Sequence, residues 1–450
     1  MSISRRTLVR GFGVGVLGVG ALTACTTGRG GRGTTPPAAP TGGDLTEPDA
    51  PLVMGSIGAS YGRCAPFESA ISIALHEALI AVNARWEGLF GHEVEMAERH
   101  VMAEAGEDLT AVIAAMAESG VTTVITSIDE DSLIAAMPAF VEAGMAVIDV
   151  FTSGMSVRAP DVLTSNMLIR LAPNDLAIAS LYAEAAWAGS GSKSGAPGTV
   201  AFVSEDTAQG HSLLHELTQI LEPAGGQVVA EHFYGFGEIG ELDAVVAKVL
   251  KTPPALLVVN GGPEAGPFLS ALYAATLDED ERPTVVVPTR LGPAASVDYV
   301  DAELLPECLS SATGYVPGTD LQVDHVNMML NVDPDLQRTG YAYSQQGYDA
   351  VILACLAAQD ALSAEGVDIS ASIGKILTGT QECTDFGDCR SILRAGLSAD
   401  ERATIRFTGR MGALELGAAK DARTGAIRTF TWSDAQEIQR GTSEDFDAGS

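Results

Sequence analysis

The sequence predicts an α/β protein of two doubly wound parallel-sheet lobes, on three observations. Short apolar runs of strand character alternate with segments of helical period. The alternation occurs twice, in consecutive arrays of similar size, and a glycine- and serine-rich segment from Gly189 to Gly195 divides them. The 46% hydrophobic content is enough to fill two cores in the part of the chain that folds.

The first element is an export signal. Arg5, Arg6 and Arg10 flank an apolar, glycine-rich stretch from Gly11 to Ala24, shorter than the roughly 20 residues a membrane-crossing helix needs. Its end, Leu22-Thr23-Ala24-Cys25, resembles the bacterial lipobox, which implies cleavage before Cys25 and lipidation of that cysteine. Ser4-Arg5-Arg6-Thr7-Leu8 resembles a twin-arginine signal. Gly13 to Gly18 spells GxGxxG with no strand before it, so no dinucleotide site is read there. Residues 1–24 are taken as signal peptide. Residues 25–49, rich in Gly, Thr, Pro and Ala, are taken as a disordered tether, because they cannot bury enough surface to fold.

The first array starts with an apolar run at Leu52–Ile57 and a helix from about Phe67 to Asn83. It continues with a strand near Glu93–Glu98, a helix over Asp108–Ser119, a strand at Val121–Ile125, a helix over Ser132–Ala143 and a strand at Met145–Val150. The second array has strands at Thr199–Ser204, Gln227–Phe233, Ala255–Val259 and Thr284–Val287. Helices over Ser212–Leu221, Glu241–Leu250 and Pro267–Thr276 connect them. Consecutive βαβ arrays of this kind place a cleft where the strand ends of the two sheets face one another.

Charge and motifs exclude several classes of function. The formal charge of -32 becomes -35 once a signal holding three arginines and no acids is removed, and it repels nucleic acid and anionic membrane surfaces. No HExxH, GxSxG or P-loop occurs, so the chain is not read as an enzyme and no cofactor is expected. His211 and His215 lie four apart on a helix without a placed third ligand, which is a poor zinc site, and no metal is expected. Besides Cys25 there are five cysteines. Cys383 and Cys389, six apart in a loop-like segment of an exported chain, predict a disulfide that contributes about 2 kcal/mol. Cys355, inside an apolar run, reads as a free buried thiol, and Cys64 and Cys308 are left open.

Several short segments, in order, resemble the type I periplasmic binding proteins that serve as leucine/isoleucine/valine receptors of ABC importers. They are Ala81-Val82-Asn83-Ala84, Glu142-Ala143-Gly144 before Thr152-Ser153, Pro263-Glu264-Ala265-Gly266, Gly347-Tyr348-Asp349-Ala350-Val351, Cys383-Thr384-Asp385-Phe386, and the run from Ile405 to Leu416. The resemblance implies a hinge of three crossovers, near Leu171–Ala179, near Thr313–Thr319 and after about Gly396. Lobe one would then comprise 50–175 and 318–398, lobe two 176–317 and 399–435, and 436–450 a flexible tail. It further implies a monomeric receptor, lipid-anchored on the extracytoplasmic face of the cell membrane, that traps a small molecule and presents it to ABC permease subunits. A non-transport sensor or surface interaction protein is the alternative.

The same resemblance marks the candidate ligand-binding residues. In lobe one these are Phe67 as an aromatic wall, the acidic turn Glu130, Asp131 and Ser132, and Phe151 with the hydroxyl pair Thr152 and Ser153. In lobe two they are Gln209 in place of a tyrosine, Gly262 in place of an aromatic, and Thr289 beside Arg290 in place of the ammonium-binding acid. Asp131 or Ser132 equally suits capping of the helix that follows. Glu130 either points to solvent or excludes a ligand carboxylate at that end. Arg290 either meets an anionic group of the ligand or pairs with a surface acid.

Overall fold

The computed structural model describes residues 46–189, 193–398 and 402–448. The signal segment, Cys25 and most of the tether lie outside the described residues. The end of the expected tether is held down, since Glu47 accepts from Gln359 Nε2 at 2.9 Å and pairs with Arg394 at 2.9 Å.

The first array folds as β1 (Val53–Ala59), α1 (Glu68–Ile80), β2 (Glu95–Met96), β3 (His100–Met102), α2 (Thr110–Glu118), β4 (Thr123–Ser127), α3 (Glu130–Glu142), β5 (Ala146–Asp149) and β6 (Leu168–Pro173). The second comprises α4 (Asp175–Ala188), β7 (Ala196–Glu205), α5 (Ala208–Leu221), β8 (Gln227–Tyr234), α6 (Leu242–Leu250), β9 (Pro254–Asn260), α7 (Ala265–Thr276), β10 (Thr289–Leu291) and β11 (Ala312–Pro317). The chain then returns through α8 (Val323–Val332), α9 (Ser344–Ala361), α10 (Gly366–Ile376), β12 (Gln381–Cys383), α11 (Phe386–Ala395) and β13 (Ile405–Phe407). It ends with β14 (Glu415–Leu416), β15 (Asp421–Trp432) and β16 (Ile438–Asp447).

The main sheet runs β2-β1-β4-β5-β6-β15-β11-β10-β9-β7-β8, with β3 on β1 and with β14 and β16 on β15. Pairing is parallel within each half. β15 joins the halves, parallel to β6 and antiparallel to β11. The strands β6, β15 and β11 are therefore adjacent where the two halves of the sheet meet. The crossing expected after about Gly396 comes later, at Asp421. β13 pairs with β12, and Asp349 of α9 accepts the amides of Arg410 and Met411, so residues 402–416 pack with lobe one, where the sequence had assigned them to lobe two. Residues 436–450, expected as a flexible tail, contain β16, which pairs with β15 from Trp432 back to Thr424.

The run Thr284–Val287 does not form a strand. Pro283 and Pro288 bracket it, and the Thr284 amide turns back to the Thr276 carbonyl at 2.8 Å, so the ladder starts at Thr289. The lobe-one core is built around α9, which is buried without interruption from Ser344 to Gln359. Apolar packing on both faces explains why this helix carries so few charges. A second core lies beneath α6 and α7, with Val203, Val245, Leu257, Phe268 and Trp432. The disulfide Cys383–Cys389 is formed, and Cys64, Cys308 and Cys355 are free and buried.

Candidate functional site

The carboxyl ends of the parallel strands deliver the site. In lobe one, β1 runs into a 3-10 turn at Gly62–Phe67, β4 into the cap of α3, and β5 into the turn 150–154. The α3 cap is Asp129, not Asp131 or Ser132. Its carboxylate accepts from the Ser132 amide at 3.0 Å and the Ser132 hydroxyl at 2.8 Å, and Tyr61 also donates to it. The helix thus starts two residues earlier, at Glu130, and this turns the Glu130 side chain inward.

Glu130 is 1% exposed. One oxygen pairs with Arg63 at 2.6 Å, and the other accepts the amides of Ser153 at 3.0 Å and Gly154 at 3.1 Å. Glu130 does not point to solvent, and its charge is compensated in place by a buried guanidinium. Burial would lower the Arg63 pKa, but the charge and hydrogen bond of Glu130, together with Cys64 and Tyr343, outweigh it in sum and hold it above the ordinary arginine value. The guanidinium lies 5.2 Å from the Phe151 ring centre. Phe151, Phe67 and Tyr343 pack at centroid distances of 5.0–6.1 Å, so Phe67 and Phe151 form a wall behind Arg63. Thr152 faces away, since its amide and hydroxyl both donate to Asp149, at 2.6 and 2.7 Å.

Lobe two contributes the ends of β7 and β9. Gln209, on the first turn of α5, donates to Asp175 at 3.0 Å and accepts from Asn260 at 2.7 Å. Thr207 caps α5 by accepting from the Gly210 amide at 3.0 Å. Burial, with the charge of Glu130, raises the Asp175 carboxyl to about 6. Glu205, 2% exposed, is raised to about 7 by burial and by Glu264 nearby. Each has one buried oxygen, Asp175 Oδ2 and Glu205 Oε2, without a hydrogen-bond partner.

A crevice between the lobes is lined by Arg63, Ser153 and Tyr343 from lobe one, by Gln209 and Pro293 from lobe two, and by Ala172, Pro173, Tyr315 and Pro317 at the crossings. The open space there is about 10 Å³, about what one water requires. The lobes touch around it: the Met155 amide donates to Ser212 Oγ at 2.8 Å, the Asp175 amide to the Ser153 carbonyl at 2.9 Å, and Tyr61 meets Phe236 edge-on at 6.2 Å. Further out, a hollow of about 350 Å³ lies between the 105–110 loop, the start of α3 and the Asp206–Thr207 turn.

Of the sequence-marked residues, Ser153 and Gln209 line the crevice, while Phe67, Glu130 and Phe151 stand directly behind it. Asp131 and Ser132 line the outer hollow. Gly262 sits at the end of β9, where its amide donates to Glu264 at 2.7 Å. Thr289 and Arg290 are not brought to the crevice. Thr289 faces a separate hollow under α7, and Arg290 makes one weak bond to a backbone carbonyl at 3.3 Å, with its guanidinium pKa lowered by burial. His211 pairs with Asp206 at 2.7 Å, and among the described residues no three side chains converge to hold a metal. Sequence reasoning missed Arg63, Asp175 and Glu205. The signal for Glu205 was available, since it is the last residue of a buried parallel strand.

No model of a known protein family matches the sequence, and no curated protein matches it. Solved structures do. The branched-chain amino acid substrate-binding protein LivJ of Streptococcus pneumoniae, determined with isoleucine, is 14% identical, with a TM-score of 0.61 over 88% of this chain and 100% of that one. The leucine-binding protein LivK of Thermotoga maritima is 14% identical, with a TM-score of 0.63 over 87% of this chain and 98% of that one. A solute-binding protein of R. palustris, determined with benzoate, is 13% identical, with a TM-score of 0.61 over 88% of this chain and 96% of that one. The chain has the type I periplasmic binding protein fold. In that fold the crevice at Arg63 and Gln209 is the interlobe position, reached from both sheets and bordered by the three crossings.

Proposed function

We propose that this protein is an extracytoplasmic solute-binding protein, lipid-anchored through Cys25, that closes its two lobes on a small molecule and delivers it to the permease of an ABC importer. The observation that carries this reading is the crevice at the carboxyl ends of both sheets, flanked by three adjacent crossing strands about which the lobes rotate. The solute is an amino acid or a related compound, and it does not place a carboxylate on the Ser153 and Gly154 amides, because Glu130 already holds them. Calorimetric titration of the mature chain with amino acids, amides, amines and aromatic acids tests the reading. Binding of one class supports it, and a panel without any binder overturns it. Metabolic labelling with a fatty acid tests the anchor, and label that persists in Cys25→Ser refutes it. The sensor reading is favoured by one observation, the nearly filled crevice. An adjacent sensor-kinase gene, in place of permease and ATPase genes, would support it.

A further inference from the structure

We propose that the interlobe crevice is a guanidinium site and that the chain's own Arg63 occupies it, so that the lobes close with no solute between them. The proposal rests on the solute-receptor reading for its setting and on the Arg63 surroundings for its content. Arg63 leaves the end of β1 on a turn begun by Gly62, whose φ of +51° suits glycine. Lobe two abuts that turn directly, because a Cβ on Gly62 would lie 2.8 Å from the Phe236 ring. The guanidinium therefore stands where the two lobes meet. It has partners a receptor would present to a free guanidinium, a fixed carboxylate and an aromatic face, and the lobe-two acid Glu205 is near enough for the two charges to act on each other.

Glu130 is the fixed carboxylate. Two backbone amides hold its second oxygen, so the acid is set in place before the cation arrives. Phe151 is the aromatic face. Glu205, at the end of β7 in lobe two, has a buried oxygen with no partner and feels the charge of Arg63, whose Nε is likewise buried and unpartnered. A lobe-two acid and a lobe-one cation thus act on one another across the closure surface, and that attraction counts only when the lobes are shut. The Arg63–Glu130 ion pair itself lies inside lobe one, yet its surroundings differ from those of an ordinary buried pair. This one is walled by Gln209 and Pro293 of the opposite lobe, and about 10 Å³ remains beside it.

The test uses the full mature chain, the variant Arg63→Ala and the probe methylguanidine, with sodium chloride at equal ionic strength as control. Unaltered protein is expected to scatter as the closed form and to bind methylguanidine at least roughly tenfold more weakly than the variant, because the resident side chain must first leave. Arg63→Ala is expected to show a larger radius of gyration, which methylguanidine reverses and sodium chloride does not. The proposal is overturned if the variant keeps the compact radius and binds no methylguanidine, or if both proteins bind it equally. Arg63→Met, which keeps the packed stem, serves where the alanine variant does not fold, with the same expectations. Failure of this rescue leaves the receptor reading standing, since that reading depends on a solute bound by the unaltered chain. A solute panel without a binder beside a successful rescue would sink the reading and keep the proposal.

Discussion

Asp421 is the most heavily used acid at the hinge, and replacing it with alanine tests how the crossings are held. It opens β15, where its oxygens receive Arg170 Nε and Nη2, both at 2.7 Å, and Arg158 Nη2 at 2.7 Å. Arg170 is 1% exposed on β6, and its remaining Nη1 donates to the Gly154 carbonyl at 2.5 Å. Burial alone would raise the Asp421 carboxyl, but hydrogen bonds and charge from Arg170 and then Arg158 hold it below the usual range. Alanine leaves two guanidiniums facing one another with no acid between them. Removing one partner of a buried pair costs about 3–5 kcal/mol. Unfolding entropy of about 2.1 cal/mol/K per residue over roughly 400 residues makes 4 kcal/mol equivalent to a fall in Tm of about 5 °C. Scanning calorimetry at pH 7 reads it. Because the folded-state pKa is depressed, the stabilisation is fully present above the ordinary carboxylate value of about 4 and is lost as pH falls through the lower folded-state value, so the gap between wild type and variant should narrow as pH drops below about 4. A fall of less than about 1 °C at pH 7, or a gap that widens below pH 4, refutes the reasoning.

Four further outcomes are expected. Glu205→Gln should stabilise the chain increasingly as pH rises from 5 to 8, by about 3 kcal/mol at the upper end, because the raised Glu205 pKa makes its ionisation costly through about pH 7; urea titrations at both pH values measure the change. Arg428→Met should raise Tm, since Arg428 is 2% exposed, its nitrogens make no hydrogen bond among the described residues, and burial with Arg440 lowers its pKa to about 9; a drop in Tm would show that the guanidinium has a partner. Cys383→Ser should cost about 2 kcal/mol through the loss of a short closed loop, and intact protein should resist alkylation at Cys389 by mass spectrometry until it is reduced. Asp129→Ala should cost about 1 kcal/mol for the α3 cap, visible in chemical denaturation.

The alternation of apolar runs and helical periods made the two sheets legible, because parallel strands buried on both faces, such as β4 and β9, have no choice but to be apolar. What stayed hidden was set by contacts distant in sequence. The run Thr284–Val287 has a strand composition, yet flanking prolines decide against it. The late third crossing follows from β13 pairing with β12, a two-stranded ladder too short to leave a periodic signal. In the site, Glu130 was visible as an unusual acid, but its meaning depended on Arg63, 67 residues earlier. A lone arginine after a strand carries no sequence mark of the acid it will meet. Thr289 and Arg290 were misplaced for a related reason, since the shift from Thr284–Val287 to Thr289–Leu291 moved them from the end of a strand into the strand itself.

The hairpin of β15 and β16 has a mechanical consequence. β15 is bonded along nearly its whole length to β16 and over four residues to β11, but it touches β6 at only two positions. One flank of the joint is thus splinted by β16 along its length, and the other is held at one end, by two ladder positions and the Asp421 ion pairs. Bending should concentrate at Asp421–Ala422, and a tag or truncation at the carboxyl terminus would alter the stiffness of the whole clamp.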